Sequence, residues 1–94
     1  MKILKTFKIN DYYENMKKPQ YVKMPKGTQI IGYRDGIGES LIFCLIEDSE
    51  KRDEIRILKW ISIDELVDPK YTCIGIKSRQ NVCLFDTNEI QPHI

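Results

Sequence analysis

One histidine, one tryptophan and three cysteines among 94 residues leave little of the usual apparatus for metal or nucleophilic chemistry. The histidine, His93, is the penultimate residue. A zinc centre needs several nitrogen or sulfur ligands at close spacing, and a Ser-His-Asp or Cys-His arrangement needs a histidine held rigidly, so no metal site and no catalytic set is expected. Cys44, Cys73 and Cys83 are odd in number, contain no CxxC pair and each fall inside an apolar run. They read as reduced, buried thiols. An excess of charge is also lacking. Fifteen basic against fourteen acidic side chains give a net charge of +1, which argues against salt-driven binding to long nucleic acid while leaving room for a small anion held by a few local cations. Long hydrophobic runs are missing as well: the longest, Leu41 to Ile46, is far too short to cross a bilayer, and lysines interrupt MKILKTFKI, so no signal peptide and no membrane segment is expected. Gly32, Gly36 and Gly38 are scattered along one hairpin and make no phosphate cradle. The acidic pairs Asp48/Glu50 and Asp64/Glu65 fall in a charged turn and at a helix start, where general acid–base work is not expected of them.

What the chain does have is a regular succession of short apolar segments divided by turn chemistry, the mark of mainly β structure. Strands are predicted over Lys2–Ile9, Gln20–Met24, Thr28–Tyr33, Ser40–Glu47, Glu54–Ile61, Tyr71–Lys77 and Asn81–Thr87. Lys2–Ile9 alternates, with Lys5 the exception on its apolar face, and LIFCLI in the fourth segment suits a central strand covered on both sides. Pro25-Lys26-Gly27 and Asp35-Gly36 are turn signals, each read as a hairpin corner. Asn10–Pro19 is polar and reads as a loop. Ser62-Ile63-Asp64-Glu65 matches a capping box, predicting a short helix over IDELV that stops before Pro69. Residues from about 88 onward read as a loose tail. The expected fold is a single domain over 1–94, mainly β: a compact antiparallel sandwich or small barrel of about seven short strands with one short helix.

The residues able to recognise a ligand are aromatic and basic: Tyr12, Tyr13, Tyr33, Arg34, Lys59, Trp60 and Tyr71. A purine or pyrimidine stacks on an aromatic ring, and phosphate is held by cations, hydroxyls and free amides. Lys59-Trp60 and Tyr33-Arg34 each set a cation beside a ring. At the Pro25 corner, Lys26, Thr28 and the turn amides are candidates to face phosphate. The same rings also suit a hydrophobic core, and from composition alone that reading is the stronger one for Tyr33 and Trp60.

In order along the chain, KILKTFKI, VKMPKGTQIIGY, SLIFCLIED, EIRILKW, YTCIGI and NVCLFD resemble a family of small phage-encoded β-proteins that carry a Met-Pro-Lys-Gly hairpin. The chain departs from that pattern in its longer first loop, NDYYENMKKP, and in LKWISI, where relatives often carry a Gly/His-rich stretch; transfer of residue roles to 59–63 is correspondingly weak. Members of this family are similar to viral anti-CBASS and anti-Thoeris sponge proteins, which bind cyclic nucleotide messengers of bacterial antiviral immunity and sequester them uncleaved. The resemblance therefore implies a non-enzymatic immune-evasion protein working in the cytoplasm of the infected bacterial host. Its ligand would be a cyclic di- or trinucleotide or a related adenine-nucleotide signal, with no cofactor, no long nucleic acid and no membrane involved. A chain this short buries only about 60–65% of its unfolded surface, which favours a homo-oligomer. The alternatives are a protein-binding inhibitor or adaptor, or a virion accessory protein.

Overall fold

Apolar side chains recur at every second position through most of the predicted strands, and the backbone follows that period. The computed structural model describes residues 1–10, 17–36 and 40–92. Seven strands run through the described residues: β1 (Lys2–Ile9), β2 (Gln20–Pro25), β3 (Gln29–Arg34), β4 (Ser40–Glu47), β5 (Asp53–Ser62), β6 (Thr72–Lys77) and β7 (Val82–Pro92). They form two antiparallel sheets rather than a closed barrel, one in the order β1-β4-β3 and the other in the order β2-β5-β7-β6. Strand β4 shows how the core is built. Ser40, Ile42, Cys44 and Ile46 are buried between the sheets, whereas Leu41, Phe43 and Leu45 are half-buried on the opposite face. From the second sheet Met24, Leu58, Trp60, Val82 and Leu84 close onto them.

Two of the expected turns behave differently from each other. Asp35-Gly36 leads from β3 to β4, which pair antiparallel as a hairpin. Pro25-Lys26-Gly27 does not make a hairpin: β2 pairs with β5 and β3 pairs with β4, so this corner carries the chain from one sheet to the other. The hydrogen-bond partners of the corner explain why. Lys26 N donates to Arg52 O at 2.8 Å, and Gly27 N to Glu54 Oε1 at 2.6 Å. Both acceptors belong to the start of β5 or the residue before it, so the corner is tied to the second sheet while the chain departs for the first. Gly27 has φ +80°, a left-handed value that glycine adopts without a Cβ penalty.

Arg56 fixes the same corner from inside the sandwich. Its Nη1 donates to Thr28 O at 2.7 Å and its Nη2 pairs with Asp86 Oδ2 at 2.6 Å, with both side chains largely buried. Asp86, opposite Leu58, faces inward by the same alternation as Val82 and Leu84. The β5–β7 ladder then shifts register between Leu58 and Arg56, and within the shift Thr87 Oγ1 donates to Ile57 O at 2.7 Å and Asn88 takes φ +60°. Such bulges redirect a side chain at the expense of a ladder bond.

Three expectations change. The tail predicted to be loose from about 88 continues as strand β7 to Pro92 and pairs with Glu54–Arg56. The Ile63–Val67 segment is not helical. Glu65 Oε1 does accept the Ser62 amide at 3.1 Å, one half of the capping box, but Asp64 has φ +72°, which takes the chain off the right-handed helical path. The one short helix among the described residues is a 3₁₀ turn at Ser78–Gln80, between β6 and β7. Of the thiols, Cys44 is buried, and burial pushes it up to about 11; Cys83 is half-buried, whereas Cys73 is exposed.

At one edge of the sandwich β3 lies against β6. Lys77 is buried there and bonded to Asp35, whose pKa is lowered mainly through that bond. A Cβ on Gly75 would sit 2.6 Å from Tyr33 Cβ and Cδ2, so only glycine lets the two sheets approach here.

Two outcomes test this arrangement. Gly75→Ala is expected to destabilise by about 1–3 kcal/mol through overpacking, read as a lower urea midpoint at unchanged slope. Asp86→Ala, which leaves the Arg56 charge buried without its partner, is expected to cost more, about 3–5 kcal/mol in the same measurement.

Candidate functional site

Where β5 ends, its outgoing chain must cross to β6 at the far edge of the sheet. The connection Ile63–Lys70 loops outward and leaves a cavity of about 330 Å³ between itself, the end of β5 and the residues preceding β2. Lys17, Lys18 and Pro19 line one side, Lys59, Trp60 and Ile61 the floor, and Glu65, Leu66, Asp68 and Tyr71 the opposite wall. The volume falls at the lower end of the range for small-molecule pockets.

The outer wall is held by polar bonds rather than by packing. Ile63 N donates to Asn81 O at 3.0 Å, Glu65 N to Ser62 O at 3.2 Å and Tyr71 N to Asp68 O at 3.0 Å. Asp68 Oδ1 accepts the Lys70 amide at 3.0 Å, and Lys70 Nζ pairs with Glu89 at 2.8 Å. Asn88 is the anchor: its side-chain amide donates to Lys70 O and, at 3.0 Å, to Thr72 Oγ1, while its own backbone N–H donates to Asp86 Oδ1 at 2.9 Å. Leu66, in contrast, is 99% exposed.

Electrostatically, three ammonium groups meet two carboxylates in the cavity. One oxygen of each carboxylate is occupied by a backbone amide, Glu65 by Ser62 and Asp68 by Lys70. Lys59 Nζ stands 6.0 Å from the centroid of the Tyr71 ring, within cation–π range. The half-buried Tyr71 therefore brings an aromatic surface next to a cation, the pairing that suits a base joined to a phosphate.

Of the residues expected to form a site, the structure brings Lys59, Trp60 and Tyr71 together at this cavity and places Lys26, Thr28, Tyr33 and Arg34 elsewhere. Trp60 belongs to the core. It is 7% exposed, its Nε1 donates to Asn10 O at 3.3 Å, and it meets Tyr33 edge-to-face at 5.8 Å. It supports the cavity floor and has no ring face to offer. Tyr33 and Arg34 do not work as a pair, because successive strand residues point to opposite sides. Tyr33 turns inward, with its hydroxyl 3.0 Å from Ser40 Oγ, and Arg34 is exposed on the outer surface of the first sheet. At the Pro25 corner, the amides expected to be open to phosphate are in use: besides those of Lys26 and Gly27, Thr28 N donates to Pro25 O at 3.2 Å. The Thr28 hydroxyl is buried and donates to the same carbonyl at 2.5 Å, which leaves the exposed Lys26 side chain alone. Tyr12 and Tyr13 lie outside the described residues.

Lys17, Lys18, Glu65 and Asp68 were not expected at the site. The first two sit in a segment read only as a loop, Glu65 in the segment read as a helix, and Asp68 just after it. The KK pair beside Pro19 was the available signal, but nothing local indicates that it lies opposite Lys59. No protein-family model, no curated protein and no solved structure matches the chain.

Asn88→Gly, which keeps the left-handed backbone and removes only the side-chain amide, is expected to loosen the wall without unfolding the core. A hydrogen bond contributes about 1 kcal/mol net, so the Tyr71 amide should exchange with solvent roughly 5-fold faster while the Leu84 amide is unchanged.

Proposed function

We propose that this chain binds a cyclic nucleotide messenger and holds it uncleaved, as the viral sponge proteins do, with the cytoplasm of an infected bacterium as its setting. The observation that supports this reading best is the cavity at the end of β5, lined by Lys17, Lys18 and Lys59 together with Tyr71, whose ring lies 6.0 Å from the Lys59 ammonium. Lysines are phosphate-binding point charges, and a tyrosine face accepts any base. The cavity is on the scale of one nucleotide unit, so the remainder of a cyclic di- or trinucleotide would extend beyond it. Trp60 and Tyr33 act behind the site by keeping its floor rigid, which lowers the ordering cost of binding.

Thermal melting against a panel of cyclic di- and trinucleotides tests the reading. A ligand present at 100 times its dissociation constant contributes about 2.7 kcal/mol, a rise on the order of 10 °C or more for a domain of this size. Tyr71→Ala should weaken binding by about 1–3 kcal/mol, roughly 5- to 150-fold, and Lys59→Ala should weaken it in the same direction, whereas Lys26→Ala and Arg34→Ala should leave it unchanged. The bound nucleotide should be recovered intact after heating. No shift with any member of the panel, or recovery of a cleaved product, would overturn the proposal.

A further inference from the structure

Two surfaces of this molecule expose apolar side chains beside charges of opposite sign. The first is the wall segment Ile63–Asp68. Ile63 is 71% and Leu66 99% exposed, and the charged residues among them are Asp64, Glu65 and Asp68, all acidic. A leucine so fully in solvent gains nothing for the monomer, since burial is what makes an apolar side chain stabilising. The second is the outer face of the sheet β1-β4-β3. The register puts Leu4 opposite Leu45 and Thr6 opposite Phe43, with Leu4 59% exposed and Phe43 and Leu45 half-buried. At one end of this face stand Lys2 and, opposite it, Glu47, whose carboxylate pairs with the N-terminal ammonium at 2.5 Å; at the other end stand Lys8 and Arg34, both opposite Leu41. Strand β4 is thus apolar on both sides, and the described residues cover only its inner side.

We propose that the acidic, apolar segment Ile63–Asp68 of one copy docks on the basic-ended, apolar outer face of β1-β4-β3 of a second copy. Charge complementarity selects this occupant. Face-to-face pairing of the same sheet would bring Lys2 and Arg34 toward their own copies, a like-charge arrangement that disfavours it. The outer face of the other sheet also leaves Tyr21 and Ile76 in solvent, but its lysine Lys23 already lies 3.7 Å from Asp53. A contact between two different patches is heterologous: it continues from copy to copy until the rotation closes a ring. Leu66 and Glu65 also line the cavity, so the docked face of the second copy becomes its outer boundary. The inference concerns assembly alone and goes beyond the nucleotide reading, because it needs no ligand.

Light scattering coupled to gel filtration, on the nucleotide-free full chain, tests it with two variants at solvent-exposed positions. Leu66→Lys blocks the segment and keeps the face; Leu4→Glu blocks the face and keeps the segment. The unaltered chain is expected to run as a multi-subunit species, and each variant alone at the 11.1 kDa subunit mass. An equimolar mixture of the two variants is expected to give a species of twice that mass, since one intact segment then meets one intact face and the chain of contacts stops. The proposal is overturned if the unaltered chain stays monomeric from micromolar to millimolar concentration, if either variant alone keeps the unaltered mass, or if the mixture stays monomeric. A nucleotide that binds a monomer, or fails to bind an assembled chain, bears on the proposed function and leaves this result untouched.

Discussion

The buried guanidinium of Arg56 is the constraint on which the rest of the molecule depends. It lies between the sheets, paired with Asp86 of β7, and grips the carbonyl of Thr28 just before β3 begins. One side chain thus joins a central strand of the second sheet to its neighbour and to the last residue of the corner that leads into the other sheet. Removing an ion pair from water is costly, and a buried pair is weak support for stability as such. Its worth here is geometric. A guanidinium fork fixes direction as well as distance, so it specifies where the chain leaves one sheet for the other.

The same network reaches the cavity. Asp86 uses one carboxylate oxygen for Arg56 and the other for the amide of Asn88, whose side chain in turn holds Lys70 and Thr72. The β7 bulge is therefore a junction: the core side of the strand sets the charge pair, and two residues later the solvent side anchors the wall. Tyr71 owes its position opposite Lys59 to that junction, not to apolar packing of its own segment. The arrangement separates rigidity from access, with a floor of packed core residues and a wall suspended on hydrogen bonds.

Strand identity was legible in the sequence because a period of two is a local property. Lys2–Ile9, read from alternation, and Ser40–Glu47, read from its continuous apolar run, have the expected boundaries, and the others differ from expectation mainly at their ends. Partner choice was not legible. Pro25-Lys26-Gly27 has the chemistry of a tight turn whether its flanking strands pair or part; what separates them is a set of bonds from Arg52, Glu54 and Arg56, more than twenty residues on. The failed helix at Ile63–Val67 is similar. Ser62 and Glu65 satisfy the local capping pattern, and the Glu65 bond forms, but β5 runs on through Ser62 and the next residues must turn toward the 3₁₀ corner at Asn81. The candidate site divides along the same line. Lys59 and Tyr71 were visible as a cation and a ring, whereas Lys17 and Lys18 depend on how a distant loop returns. Trp60 has the same chemistry in either setting, and only the core contacts assign it.

The lysine that breaks the pattern of β1 has a further meaning. Lys5 stands opposite Cys44, on the core-facing side of a strand that borders the first sheet. An edge strand shows a row of unpaired backbone donors and acceptors, and a neighbouring molecule can add a strand to it without limit. The Lys5 side chain is exposed, and its charge works against this, because a strand laid alongside would have to cover an ammonium on the core-facing side. One charge out of pattern therefore disfavours lateral growth of the first sheet along β1, a strand that the described residues leave exposed from Lys2 to Thr6.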